Sequence, residues 1–223
     1  PVRPFNPNRF HYNWHWFWDT GNGDFGNQGP HQMDLARWGL NQRTLPAKVY
    51  STGGKFVYDD DQETPNTQLA AFDYKDCRLV FEVRGLPTGG ESGISLIDSN
   101  FIGNLFFGSE GTLALDGSGF RIYLGESREL ADQATLSEPR IADTAPHVEN
   151  FLKAVRSRKP ADLAADILEG HLSTALCHLA NISYRTGRSL VFDPATETFT
   201  HDPDADSYLS RAYRGPFVVP AKV

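Results

Sequence analysis

The sequence has little of what marks metal, disulfide and membrane proteins. Only two of its 223 residues are cysteines, Cys77 and Cys177, and they lack the paired spacing of zinc ligands. We therefore expect buried thiols and no metal site, although the sequence leaves a disulfide between them open.

No run of about 18 apolar residues is present, which excludes a transmembrane helix. The net charge of -7, without Lys/Arg-dense runs, argues against nucleic-acid binding.

The first residues, PVRPFNPNRFHYNW, do not have the basic and apolar segments of a signal peptide. Their proline-rich, extended pattern is typical of the interior of a longer protein, and we expect this chain to be the later part of one. The compartment stays open between cytoplasm and periplasm, because an export signal would precede this sequence.

The order of hydrophobic patterns predicts an α+β fold in one domain spanning residues 1–223. A period of two with frequent turn residues indicates antiparallel strands, and a period near 3.6 indicates helices. We expect an open, predominantly antiparallel β-sheet with helices packed on one face. The predicted segments are an extended aromatic lead-in at 1–20, a glycine-rich loop and histidine-bearing helix at 21–40, the sheet at 48–125, two helices at 145–187 and a tail at 188–223.

Turn residues and apolar stripes set the predicted boundaries within these segments. Residues 126–145 are polar and predict a loop. The predicted hairpins join 48–52 to 55–60 across Gly53-Gly54, and 112–116 to 120–124 across the Gly117 region. The predicted helices are Pro30–Leu40, Ala145–Arg158 and Asp162–Thr186, followed by a short LVF strand and a helical turn at 205–214.

Gly21, Gly23 and Gly26 match the G-x-G-x-x-G spacing of dinucleotide-binding loops. Such a loop follows a buried strand, opens a long helix and precedes an acidic residue about 20 positions further on. Here an aromatic, polar run precedes the glycines, and hairpins follow them instead of βαβ alternation. We interpret the glycines as a tight loop before the helix and not as a cofactor site.

Asn27, His31 and Asp34 lie at i, i+4 and i+7, so that a helix would place all three on one side. If the helix begins at Pro30, His31 lies in its first turn, where partial positive charge favours a neutral imidazole. A neutral imidazole can accept the proton of a sugar hydroxyl, and Asp34 could orient it or bind the substrate. The spacing is equally compatible with His31 and Asp34 pairing on a surface helix.

The segment GNGDFGNQGPHQMD resembles the helix-opening motif G-x-x-x-D-x-G-x-H-x-x-D of the Gfo/Idh/MocA family of NAD(P)-dependent oxidoreductases. The resemblance extends to RPFNPNRFHYNWHWFWDTGNGD, STGGKFVYDDDQETPNTQLAAFDY and ENFLKAVRSRKPADLAADILEGHLSTALCHLANISYRTGRSLVFDP. It covers essentially the whole chain and corresponds to the C-terminal substrate and oligomerisation domain of the family.

The resemblance implies that His31 is the catalytic acid/base for hydride transfer between a sugar and NAD or NADP. Asn27 stands where the family pattern has Asp, and an amide can bind a hydroxyl but cannot accept its proton. The catalytic Lys of the family lies in a Glu-Lys-Pro motif of the nucleotide-binding domain, and this tripeptide is absent here. We expect that domain to be missing from this chain and supplied in cis or in trans, so that the chain alone binds no cofactor.

The run HYNWHWFWD at 11–19 holds three tryptophans and two histidines. Trp rings stack on the C–H faces of sugars and His binds hydroxyls, so His15 and Trp16 join Asn27 and Asp34 as candidate substrate-binding residues. An extended chain would turn Trp14, Trp16 and Trp18 to one side and His15 to the other. The run could instead be a plug in a core or an interface.

His171 and His178 lie seven residues apart and share a face of the long predicted helix. They could reach the cofactor side, but packing in a core or an interface is the favoured interpretation.

The leading hypothesis is the substrate-binding portion of an NAD(P)-dependent oxidoreductase acting on a hydroxyl of a sugar, glycoside or polyol. The alternatives are a non-catalytic sugar-binding or oligomerisation module and a redox-assisted glycosidase or epimerase. The isolated chain is expected to be inactive. The uncovered face of the sheet predicts a homo-oligomer.

Overall fold

The computed structural model describes residues 4–86, 96–97, 100–135 and 144–220. The helices, in chain order, are 3-10 turns at Pro7–Arg9 and His11–Trp16, α1 (Gly23–Gly39), α2 (Ala145–Ser157), a 3-10 turn at Pro160–Asp162, α3 (Ile167–Thr186) and α4 (Pro203–Asp206). The strands are β1 (Lys48–Gly54), β2 (Thr67–Asp73), β3 (Arg78–Arg84), β4 (Leu96–Ile97), β5 (Asn100–Phe101), β6 (Gly103–Phe107), β7 (Gly111–Asp116), β8 (Gly119–Leu124), β9 (Glu129–Thr135), β10 (Leu190–Asp193) and β11 (Thr198–Phe199).

Five antiparallel strands form the main sheet in the order β11-β10-β1-β2-β3. Gln68, Ala70 and Phe72 of β2 are buried, and the residues between them are only partly covered. Helices α1 and α3 pack on the buried face. The predicted α+β fold, with an open antiparallel sheet and helices on one face, is therefore confirmed.

The predicted hairpin between 48–52 and 55–60 is wrong. Strand β1 continues through Gly53 and Gly54 and pairs with β2, with Gly54 opposite Thr67. Gly53 lies too close to the carbonyl of Thr67 for any side chain, so the two glycines serve strand pairing and not a turn. Buried Asn66 joins the two ends of the segment between the strands. Its side-chain amide donates to the Phe56 carbonyl at 2.8 Å, and its side-chain oxygen accepts from the Phe56 backbone amide at 3.1 Å.

A second antiparallel sheet has the order β6-β7-β8-β9. The predicted hairpin of 112–116 with 120–124 is confirmed as β7 and β8, with Asp116 opposite Gly119. The prediction of a loop over 126–145 is wrong in its first part, because β9 pairs with β8 along the edge of the sheet. All seven residues of β9 are exposed, so this strand lacks the alternation that identifies strands in a sequence. Residues 136–143 lie outside the described part of the chain.

The lead-in and the start of α1 differ from the predictions. The lead-in is not extended, since 7–9 and 11–16 form 3-10 turns. Helix α1 begins at Gly23 and not at Pro30, so the predicted glycine-rich loop is mostly helix. Gly23 has a φ of +69°, which favours glycine where the chain enters the helix. Pro30 lies inside α1, where it has no N–H to donate to the carbonyl four residues earlier.

Other boundaries are closer to their predictions. Helix α2 and strand β10 lie where expected, but the apolar stripe of α2 is exposed. Helix α3 begins at Ile167 and not near Asp162, because the Asp166 carboxylate accepts from the amides of Leu168 and Glu169 and caps the helix there. The predicted turn at 205–214 is wrong beyond α4, which ends at Asp206. Within the described residues, no helix is long and apolar enough to span a membrane.

The core lies where α1 crosses α3 over the sheet. Met33 of α1 and Leu176 and Cys177 of α3 are almost completely buried there. Gly29 faces Cys177 so closely that a Cβ atom on Gly29 would lie 2.7 Å from the cysteine Sγ. Cys177 and Cys77 are both free thiols, and burial raises the pKa of Cys177 to about 12.

Replacing Gly29 with alanine should destabilise the fold. The new methyl group would overlap a thiol that has no room to move, and overpacking of this kind costs about 1–3 kcal/mol, more than the gain of about 1 kcal/mol in helix propensity. The matched control is Gly170→Ala in α3, where a Cβ atom meets nothing within 4 Å. Urea denaturation should show a lower free energy of unfolding for Gly29→Ala and an unchanged or higher one for Gly170→Ala. Equal effects of both substitutions would contradict the packing described here.

Candidate functional site

The aromatic lead-in is folded against the β1–β2 connection. The Trp16 carbonyl accepts from the backbone amides of Glu63 and Thr64, at 2.9 and 3.2 Å. The Glu63 carboxylate in turn accepts from the Trp18 amide and from the Arg9 guanidinium. The turn at 59–67, in the connection between β1 and β2, therefore holds the lead-in in place.

A cleft of about 350 Å³ lies between the lead-in and the first turns of α1. We call it the α1 cleft. Its lining residues are Trp14, His15, Trp18, Thr20, Gly21, Asn22, Gly23, Gly26, Asn27, His178 and Arg211. The Trp14 and His15 rings are stacked, with centroids 3.9 Å apart, and this pair forms an aromatic wall. Such a combination of flat aromatic surface and polar groups is typical of small-molecule sites.

Buried amides fix the position of this cleft relative to the sheet. The Asn181 side chain of α3 donates to the Asn22 carbonyl at 3.0 Å, immediately before α1 begins. Gln68 of β2 donates to the Asn181 oxygen at 3.1 Å and to the Ser51 hydroxyl at 3.0 Å. These groups are buried, so each bond also avoids the cost of an unsatisfied polar atom.

Of the predicted site residues, His15 and Asn27 line the α1 cleft together. The Asn27 amide also lies 3.5 Å from the Tyr12 hydroxyl. Trp16 is turned away: its indole N–H donates to the Asp24 carboxylate at 3.0 Å, and its ring lines a second cleft. The extended arrangement that would put Trp14, Trp16 and Trp18 opposite His15 is wrong. In this 3-10 turn Trp14 and Trp18 line the α1 cleft together with His15, and only Trp16 of the three lines the second cleft.

His31 and Asp34 do not line the α1 cleft. His31 is exposed on α1, one helical turn after Asn27. It lies roughly two turns into the helix, so the prediction that His31 lies in the first turn is wrong. The Asp34 carboxylate accepts from the Ser173 hydroxyl at 2.6 Å and lies 3.8 Å from the Arg37 guanidinium. Asp34 is thus engaged with α3 and does not orient His31 by a hydrogen bond in this arrangement.

Two further cleft residues were missed or misjudged from the sequence. His178 was interpreted chiefly as a packing residue, but its ring faces the cleft. No pattern in the sequence indicated Arg211 as a site residue. It lies in the tail and reaches the lead-in through one N–H, which donates to the Asp19 carbonyl at 3.0 Å. Only the return of the tail over the lead-in brings this cation to the cleft.

Burial shifts the pKa of two groups at the site. Part of His178 is exposed to the cleft, but surrounding protein removes water from its ring and, with nearby His171, lowers its pKa. Burial raises the pKa of Asp24, against the opposing effects of the Trp16 hydrogen bond and the His15 charge.

A second cleft of about 400 Å³ lies on the other side of the lead-in. Its lining residues are Asn8, Asn13, Trp16, Phe17, Tyr58, Asp60, Asp61 and Gln62. We call it the acidic cleft because two carboxylates line it. The Asp60 carboxylate pairs with Lys55 at 2.8 Å, and this hydrogen bond lowers the pKa of Asp60.

Comparison with known proteins identifies the family. The C-terminal α/β domain of the Gfo/Idh/MocA oxidoreductase family matches residues 108–219, which is half of the chain. The chain belongs to this family. No curated protein is significantly similar to the chain.

Solved structures share the fold at low sequence identity. A protein of Thermotoga maritima classed as an oxidoreductase is 15% identical, with a TM-score of 0.59 over 82% of this chain and 51% of that one. One from Klebsiella pneumoniae is 17% identical, with a TM-score of 0.53 over 82% and 52%. A protein of Bordetella bronchiseptica classed as a dehydrogenase is 18% identical, with a TM-score of 0.53 over 76% and 55%. The chain spans about half the length of these structures.

The Asp24→Asn variant should become more stable relative to the parent as the pH rises. The folded-state pKa of Asp24 is above its ordinary value of 3.8. At pH values between these two pKa values, the folded protein therefore binds more protons than the unfolded chain. Stability that the protonated carboxyl contributes at low pH is therefore lost as the pH rises through the folded-state pKa. Asparagine can still accept the Trp16 hydrogen bond but does not ionise.

Urea denaturation of both proteins at about pH 4 and about pH 7 measures this change. The control is Asp59→Asn, at an exposed position in the β1–β2 connection. A stability difference for Asp24→Asn that is the same at both pH values would contradict a raised pKa.

Proposed function

We propose that this chain is the substrate-binding portion of an NAD(P)-dependent oxidoreductase that acts on a hydroxyl of a sugar, glycoside or polyol. One observation carries the proposal: Asn27 lines the α1 cleft, and His31 lies one turn further along the same exposed side of α1. A sugar in the cleft can therefore contact Asn27 and extend one hydroxyl towards His31. Membership of the oxidoreductase family supports redox chemistry.

The nicotinamide is not assigned to this chain. Gly21, Gly23 and Gly26 do not form a dinucleotide loop, because a 3-10 turn and not a strand precedes them, and α1 does not connect parallel strands among those that the structure describes. Of the described strands, all that pair do so in antiparallel fashion. We propose that a nucleotide-binding domain, in cis or in trans, holds the cofactor against the exposed side of α1.

In the proposed reaction, this chain binds the sugar and moves one proton. Trp14 stacks on a C–H face of the ring, and the Asn27 amide holds a hydroxyl. The unprotonated nitrogen of His31 would accept the proton of the reacting hydroxyl, and NAD(P)⁺ bound by the nucleotide-binding domain would supply the acceptor for the hydride of its carbon. His31 is available for this role, since no hydrogen-bond partner for its ring occurs in the described part of the chain.

Replacing His31 with alanine should remove turnover but leave sugar binding nearly intact. Loss of a positioned acid/base lowers the rate by about 10²–10⁴-fold. The measurement is steady-state kinetics of a protein that joins this chain to its nucleotide-binding domain, together with calorimetric titration of the sugar. His147→Ala, at an exposed histidine of α2, is the control. Unchanged kcat in the His31→Ala protein would overturn the assignment of His31.

We also propose that the chain forms a homo-oligomer through the uncovered face of the main sheet. Tyr50, Ala71 and Val80 lie side by side in adjacent strands on this face, and Val191 of β10 lies on the same face opposite Lys48. Tyr50, Val80 and Val191 are 46%, 57% and 52% exposed. A contiguous apolar surface of this kind marks an interface.

A Val80→Lys substitution should convert the oligomer to monomer, because a charge at the centre of an apolar interface loses its water without gaining a partner. Sedimentation velocity measures the change. Val57→Lys, at an apolar residue that is 88% exposed away from the sheet, should leave the assembly intact. A parent protein that is already monomeric would exclude this interface.

A further inference from the structure

The α1 cleft differs in charge from the rest of this acidic chain. The protein has 28 Asp and Glu residues against 21 Lys and Arg, yet none of the described residues that line the cleft is acidic. Arg211 contributes a full positive charge, and the amide end of α1 at Asn22 and Gly23 contributes a smaller one. The cleft is therefore locally electropositive.

The nearest carboxylates are turned away from the cleft. Asp19 offers its carbonyl to Arg211, but its carboxylate accepts from the Arg9 guanidinium at 3.0 Å. One Asp24 oxygen accepts from the Trp16 indole, and the other faces Gly85. Among the described residues, neither carboxylate forms an ion pair with Arg211.

Arg211 has unused capacity to bind an anion. A guanidinium has five N–H donors, and one of them donates to the Asp19 carbonyl. In the described part of the chain, no carboxylate forms an ion pair with Arg211. A second cation lies close by, because the Arg185 guanidinium is 4.9 Å from the centre of the Trp18 ring, which also lines the cleft.

The acidic cleft on the other side of the lead-in provides an internal contrast. Asp61 and Asp60, which pairs with Lys55, line it, and none of its described lining residues is a Lys or Arg that could bind an anion. Both clefts offer tryptophan rings, but only the α1 cleft combines them with an unpaired guanidinium.

We propose that the α1 cleft selects a sugar that carries an anionic group, a carboxylate or a phosphate, and that Arg211 is the residue that recognises it. The sugar part of this inference rests on the proposed function. Arg211 would bind two oxygens of the anion with two parallel N–H donors. Trp14, stacked on His15, would cover one face of the sugar ring.

Calorimetric titration of the chain with four matched compounds tests the inference. Methyl glucoside is the neutral sugar, glucuronate carries a carboxylate, glucose 6-phosphate carries a phosphate, and inorganic phosphate is the anion without a sugar. Charge-assisted hydrogen bonds predict that at least one anionic sugar binds about tenfold more tightly than methyl glucoside. The stronger of the two identifies the anionic group.

Arg211→Gln should reduce the affinity for the anionic sugar to that for methyl glucoside and leave the neutral sugar unaffected. A merely structural role of Arg211 would weaken both ligands alike. The matched control is Arg214→Gln in the same tail, where the guanidinium lies over the Phe217 ring and not at the cleft. It should leave all affinities unchanged.

The possible failures are distinguishable. Equal binding of the neutral and anionic sugars would overturn the preference for an anion and leave the proposed function standing. Binding of inorganic phosphate as tightly as the sugar phosphate would overturn recognition of a sugar acid. Absence of binding by all three sugars would overturn both this inference and the sugar site on which it rests.

Discussion

The close approach of α1 to α3 is the constraint on which the rest of the structure depends. Gly29 has no side chain to separate the helices, so Cys177 and Met33 fill the space between them and the sheet. This contact sets the distance between α1 and the sheet, and the opposite side of α1 faces outward. The exposed side, which carries Asn27 and His31, is a consequence of how the buried side packs.

Buried polar contacts fix the position of the cleft relative to the sheet. Gln68 binds Asn181, and Asn181 binds the carbonyl that precedes α1. Because buried amides need their partners, this chain of bonds specifies one position for the start of the helix. The lead-in is fixed separately through Glu63. The cleft thus forms where the lead-in and α1 meet, joined by the Trp16–Asp24 hydrogen bond, and the tail brings Arg211 to it.

Features encoded by local patterns could be predicted from the sequence. The β7–β8 hairpin, α2 and the antiparallel sheet all follow from periodicity and turn residues. The start of α1 could not, because glycines that permit helix packing look the same as glycines that permit a loop. Of the candidate site residues, His15 and Asn27 line the α1 cleft, and Trp16, His31 and Asp34 do not. Arg211 was beyond prediction, since its contact with Asp19 joins residues far apart in the chain.

The four tryptophans allow one measurement of the central claim that the α1 cleft is the sugar site. Trp14 and Trp18 line that cleft, Trp16 lines the acidic cleft, and Trp38 is 81% exposed near the far end of α1. A ¹H–¹⁵N spectrum of the indole N–H groups during titration with glucuronate reports on all three surfaces at once. The account predicts saturable shifts of Trp14 and Trp18, with Trp16 and Trp38 unchanged. Shifts confined to Trp16 or Trp38 would contradict it.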